Sequence, residues 1–154
     1  MKRFNYRLQR VLDIKNTIEE VKRRDFLTAQ SKLIDEENEL KKIFEIRENY
    51  QKDLSEQEKR EIDLKIIQLY YNFFNSLELR MKYQNNMINL AKEEMEKRRE
   101  ILVEAVKETK VLEKLKEKKL EEYNYEAGKE EQSINDEISG GQFFKEDKFS
   151  LSQI

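Results

Sequence analysis

No proline interrupts the chain of 154 residues, and its three glycines, Gly128, Gly140 and Gly141, all lie near the C-terminal end. Proline and glycine are the residues that most strongly disfavour a helix interior, so the chain before Gly128 is free to be helical. Charged residues make up 42% of the sequence and hydrophobic residues 37%. That apolar content is too low for a thick globular core but sufficient for a narrow contact between helices. The composition therefore predicts an all-α protein.

Apolar residues recur in steps of three and four along two long stretches of the sequence. The first covers residues 4–54 and the second covers residues 77–138. Each contains one extra step of four, at Lys22 and at Lys116, which locally unwinds a left-handed supercoil. Heptad spacing of this kind is typical of a coiled coil. It predicts two long helices, helix 1 over about 4–54 and helix 2 over about 77–138, in an antiparallel coiled coil.

The two extra steps also predict a register. If Lys22 lies opposite Lys116, each a position of one helix meets a d position of the other, and a slip of one turn is the alternative. Three charged residues, Glu36, Arg47 and Arg98, fall at seam positions, where they either fix the register or extend their charged ends into water. The register pairs Phe4 with Ile134, Val11 with Ala127, Ile18 with Leu120, Phe26 with Leu112, Leu33 with Ala105, Ile43 with Met95, and Tyr50 with Ile88.

The segment between the two stretches, residues 55–76, is left at the tip of the hairpin. Ser55-Glu56-Gln57-Glu58 matches a capping box, a pattern that begins a helix, so we expect a short helical segment at the tip. An extension of helix 2 past its partner and a direct hairpin after residue 54 are the alternatives. At the other end, Ser139-Gly140-Gly141 is expected to end helix 2. Residues 139–154 would then form a flexible C-terminal tail.

The sequence contains no residues arranged for catalysis. Histidine and cysteine are absent, and no glycine-rich phosphate-binding loop occurs. The many carboxylates would lie on exposed helix faces, without a pocket to shift their pKa. We therefore expect a protein that is not an enzyme, with no catalytic, cofactor-binding or metal-binding residues and no cofactor. The net charge of −2 disfavours nucleic-acid binding. With no apolar signal region or membrane-spanning run, we expect a cytoplasmic protein.

Four stretches of the sequence, taken in order, resemble the FliJ family of flagellar export proteins. The resemblance covers nearly the whole chain, and it implies an antiparallel coiled coil similar to the gamma subunit of rotary ATP synthases. The stretches are Phe4-x-Tyr6-x-Leu8 with Val11, Leu12, Lys15 and Glu19; Tyr50 with Tyr70-x-x-Phe73-Phe74-x-x-Leu77-Glu78; Leu112-Glu113-Lys114-Leu115-Lys116-Glu117-Lys118-Lys119 with Tyr123 and Glu126; and Glu131 through Asp136-Glu137-Ile138 with Gln142-Phe143.

The resemblance implies a central-stalk-like component of the flagellar type III protein export apparatus. Such a protein binds the hexameric ring of the export ATPase (FliI) and the cytoplasmic domain of the export gate (FlhA). It couples ATP hydrolysis to substrate export and handles export chaperones. It is associated with the cell membrane at the flagellar base through these partners only. The alternatives are the equivalent ATPase stalk protein of an injectisome and a generic structural coiled coil.

Two sets of site residues are implied by the same resemblance. The first is a stripe that would bind the export gate, and it should be exposed because a two-helix coiled coil cannot bury all the aromatics of residues 70–74. The stripe consists of Ile43, Ile46, Tyr50, Phe73 and Leu77, with Glu39, Arg80 and Gln84 at its edges. The second set lies at the paired ends of the helices and would bind the ATPase ring. It consists of Arg7, Arg10, Lys15, Leu115, Lys118 and Tyr123, within or near the segment Lys114–Tyr123.

Overall fold

Two long helices make up almost all of the protein. The computed structural model describes residues 3–60 and 63–151, with side chains described as far as Gly141. Helix α1 is Gln9–Glu58, with 50 residues, and helix α2 is Leu64–Leu151, with 88 residues. The described residues contain no β-strand. The helices pack against each other as an antiparallel hairpin, which confirms the predicted all-α class and the pairing of two long helices.

The packing divides into two compact units. One is Thr17–Val106, which contains the connection between the helices, and the other combines the chain up to Asn16 with the chain from Lys107 onward. Each unit joins residues that are far apart in sequence, as expected when the two helices of a hairpin run in opposite directions. Among the described residues, neither helix has a stretch that is both long and apolar enough to cross a bilayer.

The connection between the helices is short and ends in a helix cap. Beyond the end of α1, the backbone N–H of Arg60 donates to the carbonyl oxygen of Gln57 at 3.1 Å. The carboxylate of Asp63 then accepts a hydrogen bond from the N–H of Lys65 at 3.0 Å, and its carbonyl oxygen accepts bonds from the next two amides. An aspartate in this position satisfies amides that the first turn of a helix leaves without partners. Asp63 therefore fixes the start of α2 at Leu64.

The helix bounds differ from the expected ones at the tip. Residues 55–58 are the last residues of α1, and residues 64–76 are the first of α2, so the described residues do not form a separate tip helix over 55–76. A direct hairpin, one of the alternatives, is closer to the structure. The capping pattern at Ser55 is not used, because α1 continues past the buried Leu54, which is 8% exposed, and Asp63 caps the next helix instead.

At its C-terminal end α2 continues beyond the expected stop. It passes through Gly140 and Gly141 and ends at Leu151. Neither glycine has a positive φ, so the left-handed cap that commonly ends a helix at glycine does not form here. The expected flexibility of residues 139–154 stays a prediction, because the side chains after Gly141 and the residues after Leu151 lie outside the described part of the chain.

A narrow apolar seam between α1 and α2 holds the unit Thr17–Val106 together. Leu33 of α1 clusters with Ile88 and Ala91 of α2, and Ile43 clusters with Leu77 and Met81. Leu77 is the most enclosed of these side chains, with 1% of its surface exposed. Burial of such side chains is the main favourable term, at about 25 cal/mol for each Å² of apolar surface removed from water. The half-buried neighbours of the two clusters are Leu40, Ile46, Phe73, Phe74 and Met95.

One polar contact crosses this seam. The side-chain amide of Gln84, only 9% exposed, donates to the carbonyl oxygen of Glu36 at 2.9 Å and also to its carboxylate. A change of register would leave the buried amide without partners, at a cost of about 1–3 kcal/mol. Glu36 is one of the three charged residues expected at the seam. Its contact with Gln84 therefore favours one register over its neighbours.

That register differs from the one inferred from the two extra steps. Leu33 was expected opposite Ala105, and Ile43 opposite Met95, but both contact residues of α2 that lie roughly four turns closer to the connection. The inferred register also placed Ile134 opposite Phe4, whereas Ile134 is 55% exposed. The physical reason is burial, because the observed register covers the apolar residues that follow Asp63.

The register can be tested with engineered disulfides, because the chain has no native cysteine. Leu33→Cys combined with Ile88→Cys should oxidise to an intramolecular bridge, since clustered side chains allow the Cα separation of about 4.4–6.8 Å that a disulfide needs. Leu33→Cys with Ala105→Cys is the matched control and should keep two free thiols. Thiol titration and non-reducing electrophoresis at low protein concentration measure both. A bridge in the control pair alone would support the register of the extra steps instead.

Candidate functional site

The residues that precede α1 are attached to α2. The ring of Phe4 packs against Tyr123, with 5.4 Å between the ring centroids. The hydroxyl of Tyr6 donates to the carbonyl oxygen of Leu112 at 3.0 Å, and Tyr6 is 7% exposed. The carbonyl of Tyr6 in turn accepts a bond from the N–H of Gln9, the first residue of α1. These contacts hold the segment 3–8 against the helix from Leu112 to Tyr123.

A groove runs between this segment and α2, and both sides contribute charged and apolar side chains. On the α2 side, Lys119 and Glu122 form an ion pair at 2.7 Å. The hydrogen bond to Glu122 raises the pKa of Lys119, and the same bond lowers the pKa of Glu122. Both groups therefore stay charged at neutral pH. The groove is lined by Arg3, Phe4, Asn5, Tyr6, Arg7, Leu8, Leu115, Lys119, Glu122, Tyr123 and Glu126.

The residues predicted to bind the ATPase ring all lie in the unit that contains this groove. Arg7, Leu115 and Tyr123 line the groove together. Lys15 is paired with Glu108 of α2 at 2.6 Å, so its ammonium group already has a partner. The two remaining residues, Arg10 and Lys118, are exposed outside the groove lining. The structure thus brings half of the predicted set into one surface, and the role of that surface stays a prediction.

Sequence reasoning missed several residues of the groove. Phe4 and Tyr6 contributed to the family resemblance, but they were not predicted as site residues. Their spacing of two, just before the helical pattern begins, is a usable signal, because residues two apart in an extended segment point to the same side. Arg3 and Glu122 also line the groove, and nothing in the heptad pattern distinguishes them from other exposed charges.

A cluster of aromatic rings lies near the connection between the helices. Tyr50 of α1 contacts Phe73 and Tyr70 of α2, with centroid distances of 4.6 Å and 6.4 Å. Phe74 lies 6.4 Å from each of these two α2 rings. Tyr50 remains 42% exposed, while the three α2 rings are half-buried. The cluster therefore packs the two helices together and still presents aromatic surface to a partner.

The stripe predicted to bind the export gate is partly buried. Leu77 and Ile43 lie in the core, 1% and 5% exposed, and Gln84 donates its amide to Glu36. These side chains hold the helices together and do not present a surface. Tyr50 is exposed, and Ile46 and Phe73 are half-buried.

The edges of the stripe are more accessible. Arg80 is exposed. Glu39 is also exposed and pairs with Lys42 at 2.7 Å, and the hydrogen bond from Lys42 to Glu39 raises the pKa of the lysine. The accessible part of the stripe is therefore Tyr50, Ile46 and Phe73, with these two charged residues beside it. A role for these residues in binding the gate stays a prediction.

The described side chains offer no arrangement for metal-dependent chemistry. Between residues 3 and 141, apart from 61 and 62, no three carboxylates lie close enough to hold a metal ion. The exposed carboxylates with shifted pKa values are Glu96 and Glu122, and a hydrogen bond from a neighbouring arginine or lysine lowers the pKa of each. Such groups are constitutively charged surface residues and are poorly suited to proton transfer at neutral pH. The candidate sites are therefore surfaces for protein partners.

The attachment of the segment 3–8 can be measured by limited proteolysis. Tyr6→Phe removes the bond to the Leu112 carbonyl, worth about 0.5–1.5 kcal/mol, so trypsin should cleave after Arg7 about two- to tenfold faster. Phe4→Ala combined with Tyr6→Ala should accelerate this cleavage further. Cleavage after Arg60, near the connection, is the internal control and should keep its rate. Equal rates after Arg7 in all three proteins would show that the two aromatic residues do not hold the segment.

Comparison with known proteins agrees with the resemblance drawn from the sequence. Neither the curated proteins nor the solved structures that were searched gave a match. The family model of the flagellar FliJ protein matches residues 4–148. This match includes the groove of the segment 3–8, the aromatic cluster and the whole of α1. The chain therefore belongs to the FliJ family.

Proposed function

We propose that this protein is a central-stalk-like component of the flagellar type III export apparatus. It binds the hexameric ring of the export ATPase (FliI) through the groove beside the segment 3–8, and the cytoplasmic domain of the export gate (FlhA) through the exposed part of the aromatic cluster. Family membership makes it a flagellar export-related protein. The observation that carries the proposal further is the convergence of Arg7, Leu115 and Tyr123 on one groove.

The proposed role is coupling rather than catalysis. The ATPase ring hydrolyses ATP, and this protein transmits the resulting change to the gate, with export chaperones as further partners. Transmission requires helices that do not slide against each other. Within Thr17–Val106 the bond from Gln84 to Glu36 and the ion pair of Arg98 with Asp25, at 3.7 Å, both cross between α1 and α2. Such specific contacts favour one register over its neighbours.

The proposed groove has a composition suited to a protein partner. Arginine and tyrosine are enriched among the residues that contribute most to binding energy at protein interfaces. The groove contains both types, in Arg3, Arg7, Tyr6 and Tyr123. Tyr6 is buried and fixed by its hydrogen bond, so a partner would meet a preformed surface. Preformed surfaces lose less conformational entropy on binding.

The proposed localisation follows from these partners. The protein would act in the cytoplasm at the flagellar base, and it would reach the membrane only through the gate and the ATPase. The injectisome stalk remains an alternative with the same physics, although the family model matched is the flagellar one. A generic structural coiled coil is the other alternative, and it predicts no effect on any ATPase.

ATPase stimulation tests the groove. Titrating the protein into its cognate export ATPase should raise the rate of ATP hydrolysis, while the protein alone hydrolyses nothing. Arg7→Glu combined with Leu115→Asp should shift the half-maximal concentration upward by about tenfold or more, since loss of one interface anchor costs more than about 1 kcal/mol. Lys52→Glu, an exposed position in the other unit, is the matched charge control and should behave like the wild type.

A flat ATPase rate at every ratio would contradict the coupling role and favour a generic coiled coil. An equal shift in the groove variant and in the Lys52 control would contradict the assignment of the groove. Circular dichroism of each variant should match the wild type, because all three substituted side chains are exposed.

Binding to the purified cytoplasmic domain of the gate tests the aromatic cluster. Tyr50→Ala should weaken the affinity by about 30-fold, which corresponds to the 2 kcal/mol typical of an interface anchor. Tyr71→Ala is the matched control, because Tyr71 is also an exposed tyrosine, 57% accessible, outside the ring contacts of the cluster. Titration calorimetry measures both. Unchanged affinity of Tyr50→Ala, or equal weakening by Tyr71→Ala, would remove the cluster from the gate interface.

A further inference from the structure

Helix α2 carries a second heptad seam in addition to the one that contacts α1. Seven consecutive a and d positions run from Leu69 to Leu90, and all seven are exposed. The four apolar members are 59–68% exposed. In a coiled coil these positions point at a partner helix. The outer seam, as we name it, consists of Leu69, Asn72, Ser76, Leu79, Tyr83, Asn86 and Leu90.

The outer seam and the core face of α2 point in different directions. In the same stretch, the core face carries Leu77, Met81 and Ile88. With 3.6 residues in each turn, the two faces are roughly 120° apart around the helix axis. Contact with α1 therefore covers the core face and leaves the outer seam exposed. A second apolar face of this kind is not needed to form the hairpin.

The outer seam lies in the least charged part of the chain. Residues 66–91 contain only three charged side chains in 26 positions, Glu78, Arg80 and Lys82, whereas 42% of the whole sequence is charged. A helix face that only meets water is normally rich in charge. Depletion of charge together with exposed leucine and tyrosine is the composition of an interface core. The outer seam therefore has the properties of a surface that another helix covers.

The charges at its borders select the kind of partner. Arg80 occupies the e position and Lys82 the g position beside the seam, and both are basic, while Glu78 falls at an outer c position. In an antiparallel pair e positions face e and g positions face g. A second copy would thus place Arg80 near Arg80 and Lys82 near Lys82, which is repulsive. A parallel second copy would give neither residue an acidic partner. Charge complementarity therefore favours a different protein with acidic flanks.

We propose that the outer seam binds a single amphipathic helix of another protein, whose apolar a and d positions are flanked by glutamate or aspartate. Leu69, Leu79, Tyr83 and Leu90 provide the apolar contact, and Arg80 and Lys82 pair with the acidic flanks. Asn72 and Asn86 interrupt the apolar seam, and polar residues at such positions select partners that offer an amide or hydroxyl in the same layer. The outer seam shares only Arg80 with the stripe proposed to bind the gate.

Two synthetic helices provide the test. One is an amphipathic peptide about four heptads long with leucine at a and d, asparagine opposite Asn72 and Asn86, and glutamate at e and g; the other has lysine in place of each glutamate. Like charges at e and g discourage each peptide from pairing with itself. Fluorescence anisotropy with the full chain should show saturable 1:1 binding of the acidic peptide, about fivefold or more tighter than the basic one.

Two variants of the chain complete the test. Leu79→Ser with Tyr83→Ser should abolish binding of the acidic peptide, whereas Leu27→Ser with Ile34→Ser, at equally exposed apolar positions of α1, should leave it unchanged. Arg80→Glu with Lys82→Glu should reverse the preference in favour of the basic peptide. The altered side chains of all three variants are exposed, and circular dichroism reports whether the helices are retained.

Three outcomes would overturn the proposal. The first is no saturable binding up to about 100 μM or equal affinity for the two peptides. The second is undiminished binding to the Leu79→Ser and Tyr83→Ser variant. The third is a dimer of the wild-type chain in sedimentation equilibrium that this variant loses, since the occupant of the outer seam would then be a second copy of the chain.

Discussion

The unit Thr17–Val106 depends on the burial of one narrow apolar seam. An isolated helix is marginally stable in water and gains most of its stability from tertiary packing, so each helix persists because the other covers its apolar stripe. The enclosure of Leu77 against Ile43 is the clearest expression of this constraint. The bond from Gln84 to Glu36 adds little net stability, but it penalises other registers. Burial thus makes the pair, and one polar contact selects its alignment.

The fold class followed from the sequence because it depends on simple features. The absence of proline and the heptad spacing were sufficient for two long helices. The register did not follow, because a heptad pattern repeats and each alignment has near equivalents some turns away. The extra steps at Lys22 and Lys116 pointed to one alignment, but the apolar residues after Asp63 gain more by burial in another. The start of α2 depended on the cap at Asp63 rather than on the pattern at Ser55.

The candidate sites were only partly predictable for a related reason. Periodicity identifies the apolar faces of a helix, but it does not tell which face the neighbouring helix covers. Leu77 belongs to the core face of α2 and Tyr83 to its outer face, and both lie on heptad-spaced stripes. The groove of the segment 3–8 was harder to foresee, because Tyr6 is positioned by a bond to a backbone carbonyl. Such a contact depends on the three-dimensional path of the chain and leaves no pattern in the sequence.

The short connection between α1 and α2 has a consequence for how the chain folds. Bringing two residues together costs loop entropy that grows with the length of chain between them. Tyr50 and Phe73 lie close to the connection in sequence, whereas Tyr6 and Leu112 are 106 residues apart. The hairpin should therefore zip from the connection outward, and the contacts of the segment 3–8 should form last and open first. A surface at that end would be the most easily remodelled part of the molecule on docking.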